Sequence, residues 1–305
     1  PSQSFWSDID VPAKVKQCPT AGKNIANAYV GNKFLDNVAL GDVEYPIETM
    51  VVADGQHTSN GANDYDNIAN KVADFANRHG NACIVGYLDG HVALTQDPDP
   101  WIRVCVDHLD GTSQYGITPN SPSLLAYVPT NYIVGSSATE HFGSNGQSID
   151  INYMKGGDFG FAFTNPLNFQ VPVHEISLQV RDAVDSGDPS YKSYPRMRLS
   201  GTSNPAMICW WVCLTSDNGG KEARQPGWHR FYLDLESPMA KTSANGPGNW
   251  FGSLQSPAWA LDSTTKPVLI TNALIFGTES NGPGHLYFND FTVKAEGVRS
   301  KLLAN

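Results

Sequence analysis

Residues 77–92 read NRHGNACIVGYLDGHV, and nine residues separate His79 from the pair Asp89-Gly90. An imidazole and a carboxylate at the two ends of a hairpin can hydrogen-bond each other, or nearby backbone carbonyls, and so fix a turn. Together with Asp54, His57 and His91 they are also of the types that ligate metals. Nothing in the spacing imposes a ligand geometry. The structural role is therefore expected for His79, Asp89 and Gly90, and no stoichiometric transition metal.

A second chemistry is suggested by tryptophans. Trp228, Trp250 and Trp259 lie in PGWHR, GPGNWFG and SPAWAL, flanked by glycine, proline and serine. An indole held on such a loop can stack on the C–H-rich face of a sugar, with polar neighbours fixing the orientation. These three are the candidate sugar-binding residues; the alternative is ordinary core or interface tryptophan. Trp210 and Trp211 are adjacent, so on a strand they point to opposite faces and at least one belongs to a core.

Catalytic chemistry finds less support. Glu140, Glu175, Asp234 and Glu236 could pair for glycoside cleavage, and His108, His141 and His174 could be gathered in three dimensions. None stands in a recognisable context, and GxSxG, HExxH, P-loop and GxGxxG patterns are all absent. No enzyme activity is expected. Asp54-Gly55, Asp185–Asp188 and Asp217–Gly219 are oxygen-rich turns, but aspartate and asparagine are at home in turns for backbone reasons. No cofactor is expected, a structural calcium being the one these stretches would admit.

Five cysteines, Cys18, Cys83, Cys105, Cys209 and Cys213, show no CxxC pair and no Cys/His zinc spacing. Cys209 and Cys213 would stand roughly 13 Å apart along a strand, too far to bridge. One disulfide and a set of buried free thiols both remain open.

The elements that must position these groups are mostly strands. The chain has 305 residues, 28 glycines, 20 prolines, and only 16% charged residues, which favours turns and short strands over long helices. Thirty acidic residues against 20 basic ones give a formal charge of −10. With no Lys/Arg cluster, nucleic acid is not an expected partner. No apolar run approaches the roughly 18 residues of a membrane helix, so no membrane span is expected. The opening PSQSFWSDID lacks the basic and apolar regions of an export signal, so any such segment is expected outside this chain.

MVVA (50–53) before Asp54-Gly55 predicts a strand, and ACIVGYL (82–88), Asp89-Gly90 and HVALT (91–95) predict a hairpin whose turn needs a positive φ. Residues 63–78 place Tyr65, Ile68, Val72 and Phe75 at helical spacing and predict a helix. QDPDP (96–100) breaks the pattern. Beyond it run WIRVCVDHL, SIDINY, FGFAF, HEISLQVRD, RMRLS, AMICWWVCL, WHRFYLDL, PVLITNALIF and HLYFNDFTVK. In HEISLQVRD, Ile176, Leu178 and Val180 alternate with polar neighbours as in a half-buried strand. The expected division is 1–97, a β-sandwich over 101–297, and an exposed tail over 298–305.

The His79–Gly90 spacing, with Arg78, Gly80, Asn81 and His91-Val92 around it, resembles the motif of bacterial prepilin-type, pseudopilin-like proteins named for His-x9-Asp-Gly. Cys18-Pro19, Ala28-Tyr29, Asn32, Val38, Leu40, Pro46 and Thr49–Asp54 follow that family's order, so the resemblance covers about residues 16–95. It implies a small α+β pilin-head-like N-terminal domain. The family's long apolar N-terminal helix is not in this chain. GHLYFNDFTVKAEG (284–297), with Asn289-Asp290, resembles the last strand of carbohydrate-binding modules and implies a jelly-roll-like β-sandwich. The expected fold is thus mainly β. The expected protein is a secreted bacterial pilin-like structural subunit of an extracellular filament or surface assembly, self-associating into a homopolymer and adhesive. The alternative is a carbohydrate-binding accessory protein of a secretion or adhesion system, then a polysaccharide-acting enzyme. Either way the expected location is extracellular or at the cell surface.

Overall fold

The computed structural model describes residues 29–55, 68–69, 74–110, 117–119, 132–143, 146–153, 157–163, 167, 169–183, 193–199, 212–220, 222–234, 274–280 and 284–303. The chain divides into two compact units, residues 1–104 with 296–298, and 105–295 with 299–305.

The first unit carries a five-stranded sheet. Its strands are β1 (Tyr29–Asn32), β2 (Met50–Asp54), β3 (Ile68–Ala69), β4 (Cys83–Tyr87) and β5 (Val92–Thr95), in spatial order β3-β1-β2-β4-β5. Val30, Met50, Ala53, Phe75, Cys83 and Val85 form its core, and Tyr87 packs against them. The β4–β5 hairpin closes as the Asp-Gly signal predicts. Gly90 sits at φ +94°, its N–H bonds the Tyr87 carbonyl at 3.0 Å, and the Tyr87 N–H bonds the His91 carbonyl at 2.9 Å. Only glycine takes that conformation without strain.

The helix expected over 63–78 is corrected. Ile68–Ala69 is instead a short strand parallel to β1, with Ile68 opposite Gly31, and Phe75 forms a β-bridge with Gly55. A β-branched isoleucine beside an open strand edge gains backbone partners there, and this pairing overrides a helical spacing. Tyr65 and Val72 lie outside the described residues.

The following strands are β6 (Ile102–Asp107), β7 (Ile117–Pro119), β8 (Tyr132–Ser137), β9 (Ser148–Tyr153), β10 (Gly157–Phe163) and β11 (Val173–Asp182). They continue with β12 (Ser193–Leu199), β13 (Val212–Cys213), β14 (Thr215–Ser216), β15 (His229–Asp234), β16 (Leu274–Ser280) and β17 (Gly284–Ala295). One sheet runs β13-β12-β16-β10-β7. The other, of seven strands, runs β14-β15-β11-β17-β9-β8, with β6 also on β17. Phe161 and Phe163 of β10 meet Phe288 and Phe291 of β17, each pair with ring centroids 5.5 Å apart. The two sheets thus face each other across an aromatic core, the arrangement of an antiparallel β-sandwich.

A bulge in β17 sets which of its residues face that core. The β11–β17 register shifts between Ser177 and Gln179, where Asp290 takes φ +41°. Leu286 and Phe288 are buried before the bulge; Phe291, Val293 and Ala295 are buried after it. One extra residue reverses the alternation, so both halves of a twelve-residue strand keep an apolar face inward.

The described part of the tail is exposed at Ser300 and Lys301 and docked at Val298 and Leu302. Arg299–Leu302 forms the short helix α1, Leu302 is fully buried, and Leu303 bridges Phe169. The Arg299 guanidinium donates to the Cys105 and Val106 carbonyls. Of AMICWWVCL only Val212–Leu214 is described, with Leu214 buried. No helix among the described residues is long and apolar enough to cross a membrane.

Candidate functional site

Two groups of polar side chains stand out. They are built in opposite ways.

In the first unit the residues around the His79 spacing converge on Asp54. This carboxylate, fully buried at the end of β2, accepts from the Ile84 N–H at 2.9 Å and lies 3.3 Å from His79 Nε2. Arg78 Nη1 stands 3.9 Å from its other oxygen, and the Arg78 guanidinium also donates to the Gly55 carbonyl. Gly80 and Asn81, at φ +65° and +66°, make the tight turn that delivers His79, with the His79 and Ala82 backbones bonded in both directions. His79 therefore reaches Asp54 rather than Asp89. Asp89 instead accepts from the His91 ring at 2.6 Å, which holds its carboxyl below the usual range, while that ring stacks on Tyr87. The physical reason is distance along the sheet: Asp54 sits beside the start of β4, whereas Asp89 lies at the far end of the same hairpin. Cys83, next to Asp54, has its thiol pushed up to about 11, mainly by burial and then by the Asp54 charge.

In the second unit the polar groups lie on the face of the seven-stranded sheet that turns away from the sandwich core. Alternation with buried Ile176, Leu178, Val180, Phe231, Leu233, Leu286, Phe288, Ile149 and Ile151 assigns that face. Cross-strand pairing then lines its residues up. Arg181 of β11 is opposite Tyr287 of β17, and Tyr287 is opposite Asp150 of β9. The register with β15 ends at Val180 opposite His229, and Trp228 is the residue just before that strand. The neighbouring row runs Arg230, Gln179, Asn289.

These groups hold one another in place. Arg181 pairs with Glu140, which comes from the loop after β8. His285 Nε2 donates to the Asp150 carboxylate, and the Tyr287 hydroxyl lies 3.4 Å from His285 Nδ1. Tyr287 is buried beneath this layer, whereas Arg181 is 35% exposed and Asp150 24%. Trp228 is half-buried with Phe142 edge-on to it, centroids 6.0 Å apart. Further along, Glu175 is opposite both Asp234 and Lys294. Burial, followed by the Glu175 and Asp234 charges, raises the Tyr232 hydroxyl above its ordinary value. Arg181, Arg230 and Lys294 are offset by Glu140, Asp150, Glu175 and Asp234 on this face, so its charge is nearly balanced.

Of the three candidate tryptophans, Trp228 lies at the rim of this face; Trp250 and Trp259 lie outside the described residues. Glu140, Glu175 and Asp234 are brought to the same face, and Glu236 is outside the described residues. The histidines engage separately: His108 bonds Asp290, His141 bonds the Gly143 carbonyl at 3.1 Å, and His174 is buried in β11. In the Asp217–Gly219 turn, Asp217 accepts from His229 at 3.1 Å and from the Arg230 N–H at 3.2 Å. Burial opposes ionisation there, but these bonds outweigh it and lower the carboxyl. Asp185–Asp188 lies outside the described residues. Arg181, Tyr287, His285 and Asp150 were not singled out by sequence reasoning. The available signal was the polar half of the alternation in HEISLQVRD, HLYFND and SIDINY.

No family model and no curated protein matches the chain. Solved structures similar to it include carbohydrate-binding modules. A family 11 carbohydrate-binding module from Clostridium thermocellum, in complex with a β-1,3-1,4-mixed-linked tetrasaccharide, has a TM-score of 0.36 and 12% identity. That match covers 63% of this chain and 95% of the module. The CBM22-1 xylan-binding domain from Paenibacillus barcinonensis Xyn10C has a TM-score of 0.35 and 11% identity, over 63% of this chain and 93% of that domain.

Proposed function

We propose that the outward face of the seven-stranded sheet binds a neutral polysaccharide outside the cell or at its surface, without catalysis. The observation that carries this reading is the cross-sheet row Arg181, Tyr287, Asp150, flanked by Glu140 and His285, with Trp228 immediately before β15. A sugar offers hydroxyl pairs that both donate and accept, and an apolar ring face. Guanidinium and carboxylate groups fixed by mutual bonds meet the hydroxyls without being reordered, and an indole at the rim meets the ring face. Near-balanced charge on the face, with a formal net charge of −10 for the chain, disfavours anionic polymers.

Affinity electrophoresis through soluble polysaccharides, followed by calorimetry, tests it. Wild type is expected to be retarded by at least one neutral glycan, and Arg181→Ala and Trp228→Ala each to weaken binding about tenfold. Unchanged retardation in both variants, or none by any glycan with wild type, rejects the reading.

A second reading, a self-associating surface or filament subunit, is favoured by one observation. β5 is an edge of its sheet, and Val92 and Leu94 on it are 68% and 64% exposed. Such an edge invites pairing with another chain. Sedimentation velocity at rising concentration tests it: association that Leu94→Lys abolishes supports the reading, and a monomer at every concentration rejects it.

A further inference from the structure

Cys105 on β6, His108 just beyond it and Asp290 in the β17 bulge gather a sulfur, an imidazole nitrogen and a carboxylate oxygen within 4.8 Å of one another. The His108 ring is 3.4 Å from Cys105 Sγ and 2.8 Å from Asp290 Oδ1, and both contacts fall on the same atom, Nδ1. Around a tetrahedral zinc, with bonds of about 2.3 Å to sulfur and about 2.05 Å to nitrogen or oxygen, such atoms stand roughly 3.6 Å (S···N) and 3.4 Å (N···O) apart. The sulfur–nitrogen distance already suits an ion. The nitrogen–oxygen distance is that of a hydrogen bond, which would open by roughly 0.6 Å as the ion replaced the proton.

The surroundings hold the set from the backbone side. The Asp290 N–H donates to the His108 carbonyl at 3.1 Å, and the Leu109 N–H is fixed by Asp107 at 2.8 Å. Arg299 donates to the Cys105 carbonyl. Asp290 and Leu109 both take positive φ, +41° and +55°, conformations a side-chain-bearing residue adopts only where its surroundings impose them. Cys105 and Asp290 are buried, whereas the His108 side chain is 53% exposed, so one side of the set faces solvent.

Two other chemistries fit less well. A nucleophile–base–acid relay needs thiol and carboxylate on opposite ring nitrogens, and here both address Nδ1. Calcium takes six or more oxygens, and this set offers one carboxylate beside a thiol and an imidazole. A thiolate, an imidazole and a carboxylate together suit a borderline transition metal.

We propose that Cys105, His108 and Asp290 form a three-residue site for a divalent transition metal of the zinc class, with its fourth position open to water. On binding, the Cys105 S–H bond breaks, the sulfur keeps the electron pair and bonds the ion, and the proton passes to solvent. His108 gives up the Nδ1 proton of its bond to Asp290 and takes a proton at Nε2 from solvent, so that the neutral ring binds the ion through Nδ1. No electron is transferred.

The test uses the full chain, stripped with chelator and titrated with Co(II) and then Zn(II). One equivalent of cobalt is expected to give a thiolate-to-metal charge-transfer band and the visible bands of a four-coordinate ion, all displaced by zinc. Cys105→Ser should abolish the charge-transfer band, and Cys83→Ser should leave it. Asp290→Asn, which keeps a residue tolerant of the left-handed backbone, should weaken zinc binding on the order of 100-fold. If Cys105→Ser does not fold, peptide mapping of alkylated wild type replaces it, with zinc expected to protect Cys105. The proposal fails if stoichiometric cobalt gives no charge-transfer band, if the band survives in folded Cys105→Ser, or if zinc protects a different cysteine.

Discussion

The Asp54 cluster and the outward face of the seven-stranded sheet use the same residue types to opposite ends. Around Asp54 the carboxylate itself is fully buried and bound to the backbone of β4, and the arginine and histidine that flank it are 14% and 24% exposed. Around Arg181, an arginine, a histidine and two carboxylates also bond one another, but on a face that leaves each partly exposed. Inward-facing charges contribute specificity and stability; outward-facing, mutually fixed ones remain able to exchange partners with a ligand. A motif in sequence does not distinguish the two cases, because both require the same residues.

The largest expected effect separates them directly. Asp54→Ala removes a fully buried carboxylate with its bond to the Ile84 N–H and its pairing with His79, and should destabilise the protein by about 3 kcal/mol. Arg181→Ala removes a partly exposed pair and should cost no more than about 1 kcal/mol. Urea unfolding monitored by fluorescence measures both. Equal losses would erase the contrast between the two clusters.

Next in size is thiol reactivity. With Cys83 raised to about 11 from 9.0, the buried neutral thiol contributes stability that is fully present below pH 9.0 and is lost as pH rises through about 11. Cys83 is therefore expected to resist alkylation in the folded protein at mildly alkaline pH and to react at once on unfolding, as followed by mass mapping. Labelling of Cys83 at the rate of a free thiol would show that the Asp54 cluster opens.

Acid should act on the second unit at Asp217. Its folded carboxyl is lowered, so the stability it contributes is present above the ordinary carboxylate value of 3.8 and is lost as pH falls through the folded one. The group is 42% exposed, so screening keeps the effect to a fraction of about 1 kcal/mol. Asp217→Asn should flatten that part of the acid limb in denaturant midpoints. The smallest change is Asp89→Asn. It removes an exposed bond to His91 but leaves the glycine turn intact, and the midpoint should scarcely move.

Much of the fold was legible in the sequence where local chemistry and tertiary pairing agree. Asp89-Gly90 specified its turn, MVVA its strand, which in the structure runs one residue further to Asp54, and the alternation in HEISLQVRD its buried face. The helix over 63–78 failed because Ile68 found a strand edge no local period could announce. The docking of the tail at Leu302 and Leu303 was not legible because the partner of Leu303 is Phe169, far back in the chain. Of the candidate face, Trp228 was legible as a sugar-binding residue, and Glu140, Glu175 and Asp234 only as carboxylates that could pair for cleavage. Arg181, Tyr287 and Asp150 come from three strands and meet through registers that the sequence does not display. His108 and Asp290, 182 residues apart, meet only because a bulge turns β17 by one residue.

Hydrogen exchange with and without a bound neutral polysaccharide tests the central claim most directly. Protection confined to peptides covering 173–182, 228–234 and 284–289, with 77–95 unchanged, is the result expected if the outward face is the binding surface. Protection at 77–95 with no change across β11, β15 and β17 would contradict it.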